Sequence, residues 1–262
     1  MASAYPIVLW KNLLATYGVA AITSEATGYL KANLYDYRQF TTWRSTSTAT
    51  QNIDIDMGAA LATAADGLFI AGHNLGSKTA TLTLTSTASS DYTSGAATLL
   101  TKAFTSDDPY YTDITSSTSR YWRAAITSID SNYAEIGELW ISPKYTFPVL
   151  PTDGWKPFPQ RGRGRVLRSV GGNLLGSATQ ARDLSWQSSL RYVTQTQAET
   201  YRDFFQQHAY KLLPFVFVPD NTNYAGKAEL VTLPDEPELL ITQEGTKYHV
   251  DFQYQGLVNA NQ

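Results

Sequence analysis

The sequence predicts a mainly β protein with one helix: an N-terminal β-sandwich jelly roll followed by a small α+β domain. Three observations carry this reading. Short runs of alternating apolar and polar residues, separated by Ser, Thr and Gly turns, fill the chain up to Ile141. One stretch, Leu184–Pro219, changes from period two to the helical period and back. Between them lie Pro143, Pro148, Pro151, Pro157 and Pro159, a density that reads as a linker and sets domains at 1–147 and 148–262.

In order along the chain, Met1–Leu14 ends in IVLWKNLL and reads as an entering strand or arm. Asn52–Met57 alternates strictly, with Ile53, Ile55 and Met57 on one face and Asp54 and Asp56 on the other, solvated. Leu68–Ala71 is a buried strand closed by Gly72-His73-Asn74-Leu75-Gly76, and Ala80–Ser86 alternates again. Asp91–Asp108 reads as a loop; Arg120–Ile126 and Ile136–Ile141 read as two further strands. With no convincing helix among them, these strands make a sandwich.

In the second half, Gly171-Gly172 marks a turn and Leu184–Val193 a half-buried strand. Thr196 and Glu199 have capping-box spacing. Ala198, Tyr201, Phe204 and Phe205 then form one stripe of a helix from Gln197 to His208. Pro214 forbids helix, Phe215–Val218 suits a short buried strand, and Pro219-Asp220-Asn221 turns the chain. Pro234–Glu238 is an acidic loop, and Lys247–Tyr254 is a terminal strand.

Composition excludes several classes. Only 16% of residues are charged, against ~25% in typical domains. No cysteine is present, so no disulfide or thiol nucleophile is available. No apolar run is long enough to span a membrane, and Met1–Leu14 lacks the pattern of a secretory signal. Lys156–Arg191 carries 7 basic residues and 1 acidic, whereas Tyr192 to the end carries 4 basic and 9 acidic. Such polarity suits head-to-tail contact between copies. It makes Arg161, Arg163 and Arg165, against Asp235, Glu236 and Glu238, candidate inter-subunit contacts. Three arginines without interleaved aromatics do not amount to specific nucleic-acid recognition.

Nothing argues for catalysis, a metal or a cofactor. His73, His208 and His249 share no ligand spacing. His208, at a helix end, reads as a charge partner for the helix dipole. Gly72–Thr79 fails as a phosphate loop because Ser77 stands where glycine is required. The pairs Asp107-Asp108 and Asp54/Asp56 read as solvated carboxylates. The protein is expected not to be an enzyme.

Two resemblances add to this. Asn33-Leu34-Tyr35-Asp36 followed by Thr42-Trp43, the strand IDIDMG, DGLFIAGHN at Asp66–Asn74, LTLTS, RYWRAAI and IGELWI occur in the order of the discoidin (factor 5/8 type C) branch of the galactose-binding-like jelly rolls. Residues 15–142 resemble that family, without its bracketing cysteines. The resemblance implies that Asp36 and Trp43 build the barrel and that ligands go to loops at one end. Tyr35, Tyr37, Arg38 and Phe40 lie on such a loop, where aromatic faces and an arginine can meet a sugar.

Residues 155–256 resemble the ring-forming domain of long-tailed phage distal tail and minor tail proteins, on DLSWQSSLRY at Asp183–Tyr192, the helix at Thr196–His208 and PFVFVPD ending at Asp220. The family's glycine-aspartate-glycine-tyrosine turn is replaced by Arg161–Arg165. This resemblance implies a structural virion protein of the tail tip or baseplate. Copies made in the host cytoplasm would form a ring, a hexamer in that family, joining tail tube to hub or fibres. The alternative is a carbohydrate-binding module for attachment to a host or particle surface.

Overall fold

The computed structural model describes residues 5–61, 64–151, 160–171, 174–233 and 238–256. The chain divides into two compact units. One holds Val8–Tyr145 and Asn221–Ala228; the other holds Thr146–Asp220, the residues from Glu229 on, and the described part of Ser3–Ile7.

The first unit is a jelly-roll sandwich of antiparallel sheets. A five-stranded sheet runs Ala21–Ile22, Gln51–Asp56, Tyr121–Thr127, Thr81–Thr87, Ala97–Ala103. A three-stranded sheet runs Glu138–Ser142, Ala65–Ala71, Tyr110–Ser117. The alternation written in the sequence is used as expected. Ile53, Ile55, Leu82, Leu84, Trp122, Ala124 and Ile126 point into one core with Leu68, Ile70, Leu139 and Ile141. Trp43 is fully buried there, and its indole N–H donates to the Ser24 carbonyl at 3.0 Å.

Three sequence expectations change in this unit. Residues 91–108 are not all loop: Ala97–Ala103 is an edge strand paired with Thr81–Thr87, hidden because Leu99 and Leu100 are adjacent and break the period-two alternation where the register shifts. Leu13–Tyr17 is a short helix, capped by the Asn12 side chain accepting from the Leu14 N–H at 3.0 Å. Asp54 and Asp56 are ion-paired instead of freely solvated. The register sets Asp54 opposite Arg123, which donates to it from Nε at 2.6 Å and Nη2 at 2.9 Å. Arg120 grips Asp56 in the same two-pronged way at 2.7 and 2.9 Å.

The second unit is built on one antiparallel sheet. Leu174–Val193 pairs with Gln160–Arg168 on one side and Lys247–Gly256 on the other. Lys247–Gly256 continues to Leu240–Glu244 and Glu229–Thr232, and the latter to Phe215–Val218. The helix is Gln195–Gln207, with Ala198, Tyr201, Phe204 and Phe205 buried as the stripe requires. Its cap differs from the expectation. Thr194, not Thr196, accepts the Gln197 N–H, and the Gln197 side chain accepts the Thr194 N–H at 2.8 Å. The strand ends at Val193, so the first free helix N–H groups fall two residues earlier than the Thr196–Glu199 spacing suggests.

Two further readings are corrected. The proline-rich stretch is not a free tether at its start: Phe147 is buried, edge-on to Tyr201 at 5.5 Å and tilted on Phe217 at 6.2 Å, all within the second unit. His208 is not a charged dipole partner. It is buried, its Nε2 lies 2.7 Å from the Pro214 carbonyl, and burial lowers its pKa so that the neutral ring is favoured.

Candidate functional site

The loop after the 3-10 turn Lys31–Tyr35 is shaped by its own sequence. Asp36 ends the turn, accepting the Arg38 N–H at 3.0 Å and the Thr41 hydroxyl at 2.6 Å, a local arrangement that Asp favours in turns. Tyr37 takes the left-handed conformation at φ 65. Asn33 closes the base, its Nδ2 donating to the Thr42 carbonyl at 2.9 Å. The Gln39 backbone then lies across Gly72 and Gly137, where any Cβ would collide with the Gln39 carbonyl. Those glycines let two sheet ends receive the loop's main chain directly. The loop is therefore held by side-chain bonds above and by close backbone contact below.

The four predicted residues separate on this frame. Tyr35 packs against the core cluster. Tyr37 is half-buried, its ring edge-on to Trp140 at 5.7 Å. Arg38 is exposed, and Phe40 is 81% exposed. The loop thus presents an apolar face and a guanidinium to solvent, with Tyr37 seating it on the sandwich.

Under the loop sits a residue that no motif marks. Glu138 is 0% exposed. Its Oε2 accepts the Trp140 indole N–H at 2.8 Å, and Oε1 makes no hydrogen bond. Burial raises its pKa to about 8, with repulsion from Asp36 adding to the shift. The Trp140 N–H and the nearby Arg38 and Tyr37 amides pull the other way. A neutral carboxyl is the favoured form at pH 7. The sequence signal was available: a glutamate inside the apolar strand IGELWI.

The remaining candidates stay apart. The His73 ring is buried; its Nε2 meets the Asp108 carbonyl at 3.0 Å and Nδ1 accepts the Leu75 N–H at 3.3 Å. His249 meets Glu244 at 2.9 Å. Asp107 is not simply solvated, since it accepts the Ser77 N–H at 2.9 Å, and Asp108 meets Lys227 at 3.2 Å. Among the described residues no three His, Asp or Glu side chains gather as a metal site requires. Arg161, Arg163 and Arg165 lie on the strand Gln160–Arg168, at register positions opposite Asp183, Ala181 and Ala178. Glu238 is exposed; Asp235 and Glu236 lie outside the described residues.

No protein-family model matches the chain, and no curated protein matches it. Solved structures do. One is the CBM32 of AlyQ in complex with 4,5-unsaturated mannuronic acid: 20% identity, 48% of this chain, 95% of that chain, TM-score 0.38. Another is chitosan-binding module 1 from the chitosanase/glucanase of Paenibacillus sp. IK-5: 18% identity, 50% and 98% covered, TM-score 0.42. A third is CpGH89CBM32-5 from Clostridium perfringens in complex with GalNAc-β-1,3-galactose: 12% identity, 47% and 92% covered, TM-score 0.39. The saccharides are ligands of those proteins.

Proposed function

We propose that the jelly-roll unit is a carbohydrate-binding module whose contact surface is the loop Tyr35–Phe40. The observation that carries this is Phe40, 81% exposed on a loop already pinned by Asp36, Gly72 and Gly137. A preorganised aromatic face binds a sugar ring without the entropy cost of ordering the loop. Arg38 supplies donors for the ring's hydroxyl groups. Titration of the full chain with neutral oligosaccharides by calorimetry tests this. Binding is expected, weakened about tenfold in Phe40→Ala, in line with one stacked aromatic contact. Binding unaffected by Phe40→Ala would remove the loop from the site.

A second reading concerns the second unit and rests on a different observation. Gln160–Arg168 is a nine-residue strand at the end of the sheet order, paired on one side only among the described residues. A long edge strand invites pairing with another chain. With the resemblance of residues 155–256, this supports a subunit that assembles with its own copies as a tail-tip ring, the sandwich being carried on that assembly. The mass of the full chain in solution, measured over a wide concentration range, tests it. A closed oligomer weakened by Arg163→Pro is expected, and a monomer at every concentration would count against it.

A further inference from the structure

A concavity on the jelly-roll unit is lined by none of the Phe40 loop's residues. It is a cleft of about 190 Å³, with Lys102, Phe104, Ser106, Asp108, Tyr110 and Lys227 in its walls. One wall follows the strand Ala97–Ala103 into Tyr110–Ser117. The other is Asn221–Ala228, contributed by the second half of the sequence. Bonds that fasten this segment to the sandwich include the Tyr111 N–H donating to the Gly226 carbonyl at 3.0 Å and Asn221 Nδ2 donating to Asp113 Oδ2 at 3.4 Å. Gly226, at φ +81, lies against the Tyr110 ring, where a Cβ would approach to 2.9 Å.

The polar groups are placed on a firm base. Lys227 Nζ is 3.2 Å from Asp108 Oδ2, and Lys102 Nζ is 4.6 Å from the Tyr110 ring centroid. Phe104 is edge-on to Tyr110 at 5.6 Å and to His73 at 5.0 Å, and the His73 ring holds the Asp108 carbonyl. The Lys227–Asp108 pair is more than half exposed on both sides. Such a pair is worth little and is readily exchanged. A ligand carboxylate can replace Asp108 beside Lys227. Asp108 is then free to accept hydroxyl donors, and Ser106 adds another polar partner. The volume is below that of drug-sized sites, ~300–1,000 Å³, and suits one ring.

We infer that this cleft binds an acidic sugar, its carboxylate taken by Lys102 and Lys227 and its hydroxyls by Asp108 and Ser106. The inference rests on the reading that the unit binds carbohydrate, and adds both an acidic class and a separate site. The test titrates the full chain with D-galacturonate, with its methyl ester, and with neutral oligosaccharides. The acid is expected to bind about tenfold or more tightly than the ester, since a charge-assisted contact is lost in the ester. Lys102→Met and Lys227→Met should each cost a similar factor, whereas Phe40→Ala should leave acid binding unchanged. Equal binding of acid and ester, or acid binding untouched in the double lysine variant, overturns the inference. If only neutral oligosaccharides bind and Phe40→Ala weakens that about tenfold, the cleft assignment fails and the module reading stands. If no saccharide binds, both fail.

Discussion

Glu138→Gln isolates one buried carboxyl. In the folded protein its pKa is raised to about 8, chiefly by burial, from an ordinary value of 4.5. Between those values the unfolded chain has lost its proton while the folded chain keeps it. The folded state binds more protons, so stability falls as pH rises through this window and the loss is complete above pH 8. At 1.36 kcal/mol per unit, the shift corresponds to up to about 5 kcal/mol. Glutamine keeps an acceptor for the Trp140 N–H but carries no proton to lose. The variant and wild type should therefore have similar stability near pH 4.5, and Gln should be the more stable by several kcal/mol at pH 9. Denaturant unfolding of both proteins at pH 5, 7 and 9 reads this directly, because the other titrating groups are common to both. Parallel pH profiles would refute the reasoning, since they would mean that the folded protein holds Glu138 ionised without penalty.

Other outcomes follow from named contacts. Thr194→Ala should cost about 1 kcal/mol in unfolding experiments and Thr196→Ala much less, because Thr194 carries the helix cap. Arg123→Ala should lower the melting temperature more than Arg120→Ala: the first leaves Asp54, only 9% exposed, without its partner, and the second breaks a pair whose side chains are 40% and 31% exposed. His73 has a pKa lowered by burial, so the stability its neutral ring provides is present above pH 6.5 and lost as pH falls toward its folded value. His73→Gln should therefore flatten the acid side of the stability profile, measured as melting temperature from pH 7 to pH 5.

Much of the sandwich was legible because a strand's side chains alternate by geometry. Ile53, Ile55, Leu82, Leu84, Trp122 and Ile126 declare their inner face with no knowledge of their partners. The strand Ala97–Ala103 was not legible, because Leu99 and Leu100 stand side by side at a bulge and leave no alternating pattern to follow. The helix stripe was plain, but its cap lies two residues before Thr196, since two threonines stand at usable spacings and only the end of the preceding strand chooses between them. Of the candidate loop, the sequence supplied the aromatic and cationic content. It did not separate Phe40, which faces solvent, from Tyr35, which packs on the core.

By itself the sequence determined the elements and the chemistry available at each position: period two, a helical stripe, the absence of thiols, a glutamate within an apolar strand. The tertiary structure decided which of these meet. Glu138 keeps its proton because the fold removes water from it, a property of surroundings and not of spacing. Gly72 and Gly137 gain their purpose only from the Gln39 backbone that crosses them. Lys227 stands beside Asp108, 119 positions earlier in the chain. Local patterns are written in backbone geometry, but contacts at such separations depend on how whole elements pack.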